Sequence, residues 1–432
     1  MKIRIIILVL IFSVLFTGCL APTSDTNSLL QESDQIETSV ADLSSYTLKE
    51  DATILTMACW VQSEKEARLV DSYNRTHNDY QIKIISYFDG NPDHYEAALL
   101  HMQTQLLTGD KPDLYSLNSM DVVSMEKAGL FMNLYPLMDA DAAFQRDDYF
   151  MNVWDLYDVD GALYEFIPAF AVRGLVGPKS LVGNRTGWTY EEMNHFIEQA
   201  ESKNKKATGP VSLYYMIQGP GSAYIDVQDG TCGFDSESFR QWMNLTKYFE
   251  NANKNGDALL DEENLVLGVN QYLIHKAYYQ DTPVFMGFPS IDGAGPFAAA
   301  IDSFAISSAT KHPEICWEFL CSFMNDELSS EFMGIPMLKS TLERQLQLAM
   351  LDPSDENFPA QSDEYNMQSL TQEDVDYLLN MIGSIDHIKF RYDGVTNIII
   401  EEMELWLNGS QTMEQTIEYL QNRVVIYLAE QS

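Results

Sequence analysis

Three strand-like runs in the first third of the chain each lead into residues able to hold a polar ligand. Trp60 ends the first run, Asp89 follows the second, and Asn118 and Ser119 follow the third. In open α/β sheets, ligands bind beyond the carboxyl ends of the strands. A flat aromatic ring can pack on the C–H face of a sugar, while carboxylate and amide groups hydrogen-bond to its hydroxyls. These residue types therefore favour carbohydrate binding at one edge of a sheet.

The elements that would position these residues alternate between strand and helix. Ser63 and Glu66 have the spacing of a capping box, which predicts the start of the first helix. The alternating runs cover 52–60, 64–74, 80–88, 93–107 and 111–117. Strand–helix alternation of this kind predicts a parallel sheet with right-handed crossovers, and hence an α/β fold.

The N-terminus has the pattern of a secretion signal. Two basic residues precede an apolar run over 5–16, and Thr17-Gly18 leads into Cys19. The segment resembles a bacterial lipoprotein signal, in which residues 1–18 are removed and Cys19 is lipidated. The alternative of a transmembrane anchor is disfavoured, because the run is well short of the roughly 20 residues that span a bilayer. We therefore expect a lipid-anchored protein on the outer face of the cell membrane, with residues 19–48 as a polar tether.

Composition limits the function classes further. The chain has 432 residues, 46% of them hydrophobic, which is enough for two or three domains with proper cores. Its formal net charge of −38 repels nucleic acid and anionic headgroups. We therefore expect no nucleic-acid partner, and contact with the membrane only through the N-terminal lipid.

The remaining cysteines do not have the spacing of a metal site. Cys59, Cys232, Cys316 and Cys321 include no C-x-x-C pair, so buried free thiols are expected, and a disulfide involving Cys232 stays open. The run 251–262 matches the ligand spacing of a calcium loop, but its first positions are neutral Asn. An Asn-rich turn explains the run equally well, so a calcium ion stays open there. No metal or other cofactor is predicted.

Catalytic motifs are not found in the sequence. It contains no G-x-S-x-G, H-E-x-x-H or phosphate-binding G-x-x-x-x-G-K-[ST], and its seven histidines do not pair at ligand spacing. With 64 acidic residues, a carboxylate pair for glycoside hydrolysis stays open. A non-enzymatic function is expected.

Later segments contribute a hairpin and several amphipathic helices. Asp160-Gly161 predicts a hairpin turn, and Thr189 with Glu192 predicts a capped helix. Further helices are expected over 236–250, 313–324, 396–407 and 412–429. The tryptophans of these segments are expected to be structural, and they are Trp188, Trp242, Trp317 and Trp406.

A series of motifs in a fixed order links the chain to a known family. In chain order, the motifs are Thr108-Gly-Asp-Lys-Pro-Asp-Leu114, Glu126-Lys-Ala-Gly-Leu130, Asn133-Leu-Tyr-Pro-Leu137, Asp160-Gly-Ala-Leu-Tyr-Glu-Phe-Ile-Pro168, Gly187-Trp-Thr-Tyr-Glu-Glu192, Trp317-Glu-Phe-Leu320 and Gly334-Ile-Pro-Met-Leu-Lys-Ser340. With them, the chain from about residue 50 onward resembles the extracellular solute-binding lipoproteins of ABC importers, in the branch related to maltose-binding proteins.

The resemblance implies a fold of two α/β lobes joined by hinge strands, the type II periplasmic-binding-protein arrangement. The crossings between the lobes are expected near 169–173, 297–301 and 335–339. The first lobe would comprise residues 50–170 plus 301–336, and the second lobe residues 173–297 plus 340–432. The ligand would lie between the lobes.

The resemblance also implies further ligand-binding residues. Arg173 lies at the first expected crossing, where the family often has a polar contact, and Arg391 and Tyr392 lie where relatives often place an aromatic against a sugar. The expected contacts from the second lobe are Tyr224, Asp226, Phe288 and Asp292. The loop Asp292-Gly-Ala-Gly-Pro296 would let backbone approach a ligand closely.

The function implied is capture of a carbohydrate, expected to be an oligosaccharide, by a monomer that delivers it to the permease subunits of an ABC importer. The alternatives are a surface glycan-binding sensor or adhesin with the same fold, and a secreted glycan-cleaving enzyme. Peptides, polyols and uronates also stay open as ligands, because related folds bind them.

Overall fold

The structure is a computed structural model that describes residues 46–108, 111–252, 258–325, 328–359 and 365–430. The signal segment, Cys19 and the tether up to residue 45 lie outside the described residues, as does part of the calcium-like run, residues 253–257.

The chain alternates between helices and strands throughout. The strands are β1 (Thr53–Cys59), β2 (Tyr80–Ser86), β3 (Leu114–Ser116), β4 (Asp158–Val159), β5 (Ala162–Leu163), β6 (Ala169–Pro178), β7 (Lys206–Thr208), β8 (Ile225–Asp226), β9 (Thr231–Cys232), β10 (Ala258–Asn264), β11 (Pro283–Met286), β12 (Phe297–Ala300), β13 (Phe304–Ile306) and β14 (Ile335–Pro336). The α-helices are α1 (Glu64–Thr76), α2 (Tyr95–Thr108), α3 (Val122–Lys127), α4 (Tyr135–Ala140), α5 (Met151–Trp154), α6 (Lys179–Val182), α7 (Tyr190–Ser202), α8 (Leu213–Gln218), α9 (Glu237–Glu250), α10 (Val269–Tyr279), α11 (Pro313–Ser322), α12 (Lys339–Ala349), α13 (Gln372–Gly383), α14 (Asp393–Leu407) and α15 (Met413–Glu430).

The first sheet has the order β13-β3-β1-β2. Strand β1 runs parallel to both β2 and β3, whereas β13 is antiparallel to β3. The predicted parallel arrangement of the first three strands is therefore confirmed. Helix α1 begins at the predicted capping box, in which Ser63 and Glu66 bond to each other's backbone N–H groups. The cap fixes where α1 begins after β1, and it thereby fixes the position of Trp60 in the short connection between them.

The second sheet is organised around the long strand β6. Strands β10, β11, β12 and β14 all pair with β6 in the antiparallel sense, and β7 extends the sheet parallel to β10. Three segments that we expected as crossings lie side by side here, since Arg173 pairs with Phe297 and Phe170 pairs with both Ala300 and Ile335. The lobe boundaries themselves stay a prediction.

Apolar side chains pack on both sheets. One cluster includes Trp154 and Trp317, and a second, on the α8 and α9 side of the second sheet, includes Trp188, Trp242 and Trp406. All five are buried, which confirms the structural role predicted for four of them. The Asp160-Gly161 turn is also confirmed, because it joins β4 to β5 with positive φ at both residues.

The four cysteines in the described ranges are free thiols. Burial raises the pKa of Cys59 and of Cys316 to about 12, which keeps both thiols protonated and unreactive. Within the described ranges, no group of three or more His, Cys, Asp or Glu side chains is arranged to hold a metal ion. Among the described residues, no helix combines the length and apolar character needed to cross a bilayer.

Candidate functional site

A cavity of about 360 Å³ lies where the loop after β3 meets the strands β12 and β13 and the start of α14. Its volume is near the lower end of the range for small-molecule sites, which run from roughly 300 to 1,000 Å³. The lining residues come from segments far apart in sequence, and they are Leu117, Asn118, Ser119, Met120, Val122, Tyr157, Glu165, Ala300, Ile301, Ser303, Lys389, Arg391 and Asp393.

A second depression, of about 440 Å³, lies on the outer surface of α7. Its lining side chains, which include Glu191, His195 and Glu198, are all exposed. A binding site usually buries most of its ligand and combines apolar walls with a few polar groups. The cavity beside β3 is lined by both apolar and polar side chains, several of them buried, so it is the candidate site.

The loop after β3 supplies two of the predicted residues. Ser119 has a φ of 64°, a left-handed backbone that turns the chain sharply at the strand end. Asn118 Nδ2 donates a hydrogen bond of 2.8 Å to Asp302 Oδ1. Lys65 of α1 forms an ion pair with the same Asp302 oxygen. Asn118 is thus held in place by its Nδ2, while its carbonyl oxygen remains an acceptor.

Arg391 is the central charged group of the cavity. The segment 387–389 runs beside β12, where the N–H of Lys389 donates to the carbonyl of Ala298 at 2.8 Å. This contact positions Arg391, two residues further on, at the cavity. From there, Arg391 Nη2 pairs with Glu126 of α3 and with Glu165 Oε1, the latter at 2.7 Å. A cation from the segment before α14 is therefore clamped by two carboxylates from elements around the first sheet.

Burial and charge act against each other in this cluster. The side chains of Glu126 and Glu165 are each 6% exposed, and that of Arg391 is 20% exposed. Burial raises the pKa of Glu126, although Arg391 partly opposes the rise. Burial acts to lower the pKa of Arg391, but the two carboxylates outweigh it and hold that pKa above its ordinary value. The guanidinium therefore stays charged and ion-paired through its Nη2.

Four other side chains complete the polar wall. Tyr157 is buried, and its hydroxyl accepts a 2.8 Å hydrogen bond from the N–H of Ala300, which fixes the ring against β12. Lys389 and Asp393, the first residue of α14, form an ion pair of 3.6 Å. Together with Ser303, these groups give the cavity donors and acceptors on several sides.

Two predicted residues from the first sheet lie elsewhere. Trp60 is buried in an aromatic cluster, with its ring centroid 5.3 Å from that of Phe88 and 5.4 Å from that of Tyr95. Asp89 accepts from the N–H of Asn91 at 2.9 Å and lies 2.7 Å from His94 Nδ1. These contacts stabilise the turn after β2, and neither residue lines the cavity.

Arg173 lies on β6, where it pairs with Phe297 of β12, and it is not part of the cavity lining. Its guanidinium stacks on the ring of Tyr215 at 4.5 Å. Arg173 Nε and Nη1 are buried and have no hydrogen-bond partner among the described residues. Burial raises the pKa of nearby Glu262, and the positive charge of Arg173 partly opposes that rise. Glu262 also accepts a hydrogen bond from the N–H of Ser212.

The predicted contacts from the second sheet are not brought together. Tyr224 and Phe288 are buried in the second core cluster, where the hydroxyl of Tyr224 lies 2.9 Å from that of Tyr190. Asp226 and Asp292 each accept a backbone N–H within their own loops. Tyr392 lies beside Arg391, with its ring against Phe390 and 5.8 Å from Lys127 Nζ of α3. The structure therefore gathers Asn118, Ser119 and Arg391 in one cavity, with Tyr392 adjacent.

Sequence reasoning missed most of the charged wall. Glu126, Glu165, Lys389 and Asp393 were not among the predicted contacts. Glu126 and Glu165 each belong to a motif that carried the family resemblance, and this position in a motif was the available signal. Lys389 and Asp393 lie two residues before and after Arg391, and this proximity in sequence could have drawn attention to them.

The architecture defines a class of protein before any relative is considered. Two separate main sheets flanked by helices, with a polar cavity lined by the loop after β3 of the first and by β12 of the second, match the α/β fold of a solute-binding protein. The model of the bacterial extracellular solute-binding protein family matches residues 61–327, and the chain belongs to this family. No curated protein matches the chain.

Solved structures support the fold at low sequence identity. The chain is similar to the sugar-binding protein MalE from Xanthomonas citri, with 15% identity, a TM-score of 0.57, and coverage of 87% of this chain and 98% of that one. It is also similar to a periplasmic oligogalacturonide-binding protein from Yersinia enterocolitica, with 15% identity, a TM-score of 0.56, and coverage of 88% and 100%. The chain is similar as well to a family 1 extracellular solute-binding protein from Alicyclobacillus acidocaldarius, with 14% identity, a TM-score of 0.56, and coverage of 88% of this chain and 99% of that one. The expected two-lobed α/β fold is thus confirmed.

Proposed function

We propose that this extracellular solute-binding protein captures a carbohydrate in the cavity beside β3 and delivers it to the permease of an ABC importer. The observation that carries the proposal is the lining of that cavity, which combines amide, hydroxyl, carboxylate and guanidinium groups with apolar side chains such as Leu117, Val122 and Ile301. Hydroxyl-rich ligands need donors and acceptors on several sides together with an apolar face. The Xanthomonas and Yersinia proteins named above, which bind sugar and oligogalacturonide, have the same fold.

In this proposal, Asn118, Ser119 and Arg391 contact the ligand directly. Movement of the lobes about β6, β12 and β14 would exclude water and strengthen these hydrogen bonds. Trp60, Asp89, Arg173, Tyr224, Asp226, Phe288, Asp292 and Tyr392 stay predicted contacts. The protein acts without catalysis, as a monomer held to the outer face of the cell membrane by a lipid on Cys19.

The first test is a thermal-shift titration of the purified protein against mono- and oligosaccharides, including uronates. Stabilisation that rises with ligand concentration, with the sugar recovered chemically intact, supports binding without catalysis. A consumed sugar refutes the non-enzymatic assignment. No response to any sugar refutes the carbohydrate assignment.

Delivery and anchoring need separate experiments in cells. Deletion of the gene is expected to abolish uptake of the sugar that binds, and unchanged uptake contradicts the transport role. Cys19→Ser is expected to release the protein from the membrane fraction. If the variant stays in that fraction, Cys19 is not the anchor.

A further inference from the structure

The cation in the candidate site is already neutralised. Arg391 pairs with both Glu126 and Glu165, and these carboxylates are each 6% exposed. Lys389, the other cation of the lining, pairs with Asp393. Three carboxylates therefore surround two cations at this cavity, and the local charge is negative before any ligand enters.

Arg391 nevertheless keeps donors for a ligand. Both carboxylates bind the same nitrogen, Nη2. Its Nε–H and Nη1–H groups have no hydrogen-bond acceptor among the described residues, and Arg391 lines the cavity. A guanidinium carries five N–H donors in a fixed plane, so occupation of one nitrogen leaves the others geometrically available.

We propose that Glu126 and Glu165 make the site selective for uncharged solutes, because they neutralise Arg391 while its remaining N–H groups donate to ligand hydroxyl oxygens. This inference rests on the proposed carbohydrate function. A neutral sugar adds acceptors without adding charge. A uronate or other anion places a third negative charge beside two buried carboxylates, and like-charge contacts of this kind strongly disfavour a partner.

Arg173 does not reverse this selectivity. Its side chain stacks on Tyr215 and lies outside the cavity lining, and the charge of Glu262 acts on it. Lys65 pairs with Asp302, the residue to which the lining side chain of Asn118 donates. No cation of the described cavity lining therefore lacks a carboxylate partner.

The experiment measures binding of matched sugar pairs that differ only in oxidation at C6, by calorimetry and thermal shift on the purified full-length protein. The pairs are glucose with glucuronate, galactose with galacturonate, and galactobiose with digalacturonate. We expect the neutral member to bind at least about tenfold more tightly. If the uronate binds equally well or more tightly, the inference is overturned. If no member of any pair binds, the carbohydrate function fails, and the selectivity inference fails with it.

The double variant Glu126→Gln, Glu165→Gln tests the residues named. It keeps the side-chain size but frees the charge of Arg391, so the ratio of uronate affinity to neutral-sugar affinity is expected to rise about tenfold or more. An unchanged preference overturns the assignment to these two carboxylates.

The chain offers a matched control in Arg423, which pairs with Glu401 and Glu402 away from the cavity. The double variant Glu401→Gln, Glu402→Gln makes the same chemical change there, and the ratio of neutral to uronate affinity is expected to stay at the wild-type value. A shift of similar size in this control would mean that net protein charge, and not Arg391, sets the preference. If the Glu126→Gln, Glu165→Gln protein fails to fold, the single variants Glu126→Gln and Glu165→Gln are compared in the same way.

Discussion

The cluster of Arg391, Glu126 and Glu165 gives a prediction for stability as well as for binding. The variant Arg391→Met removes the charge but keeps most of the side-chain volume. It leaves two carboxylates, each 6% exposed, facing each other without a cation. Removing one partner of a buried ion pair costs about 3–5 kcal/mol, because the remaining charge has no compensation.

The size of the effect follows from proton uptake. One carboxyl of the pair escapes the repulsion by binding a proton, which it can donate to the other. Holding a glutamate with a reference pKa of about 4.3 protonated at pH 7 costs about 4 kcal/mol, and at pH 5 it costs about 1 kcal/mol. The folded variant then binds more protons than its unfolded chain, so its stability falls as pH rises.

The measurement is urea unfolding of wild type and variant at pH 5, 6 and 7. The midpoints report the change in the free energy of unfolding when the dependence of that free energy on urea concentration is the same for both proteins. We expect a loss of about 3–4 kcal/mol at pH 7 that shrinks to about 1 kcal/mol at pH 5. Arg423→Met is the control, since its side chain is 37% exposed and more exposed pairs contribute less. A loss at Arg391 that is equal at all three pH values would refute the reasoning, as would a loss under 1 kcal/mol at pH 7.

Three further predictions concern other parts of the fold. Gly334→Ala should lower the free energy of unfolding by at least about 2 kcal/mol, because Gly334 has a φ of 101° and a Cβ there would lie 2.4 Å from the carbonyl oxygen of Phe170. Gly383→Ala is the control and should be neutral, because a Cβ at that position meets nothing within 4 Å. Equal melting temperatures for the two variants would contradict this prediction. Asp374→Asn should cost about 3 kcal/mol at pH 7, because it leaves the buried ammonium of Lys276, 2.6 Å away, without its partner. Burial acts to raise the pKa of Asp374, but hydrogen bonds from Lys276 and Thr371 outweigh it and lower the pKa, so this stability is present above about pH 4 and lost in stronger acid; a gap between wild type and variant that persists at pH 2 would contradict the assignment. Ser63→Ala should cost about 1 kcal/mol through loss of the helix cap, and unchanged urea midpoints would show that the cap does not stabilise α1.

Local signals in the sequence predicted local structure well. The caps at Ser63 and Thr189 and the turn at Asp160-Gly161 depend on residues within four positions of each other, and all three are confirmed. The strand-end rule reached Asn118 and Ser119 because the carboxyl end of β3 does open into the cavity. These are features whose physics is contained in a short window of chain.

The charged wall of the cavity could not be found in the same way. Arg391 lies 265 residues from Glu126 and 226 residues from Glu165 along the chain. With 64 acidic residues available, no local pattern indicates which two reach one arginine. The type of an aromatic side chain also does not show whether its ring packs in the core or binds a ligand. Trp60, Tyr224 and Phe288, for example, are all buried.

The pairing of β13 with β3 has a consequence for how the protein reaches its place of action. Phe304–Ile306 closes the first sheet beside Leu114–Ser116, and Ile335 joins β6 across a similar span. Contacts between residues so distant in sequence fold slowly, because a long loop must close before they form. Neither sheet can be completed while the first 300 residues emerge from the ribosome. In the proposed export to the outer face of the cell membrane, this delay would leave the chain unfolded and therefore competent for translocation.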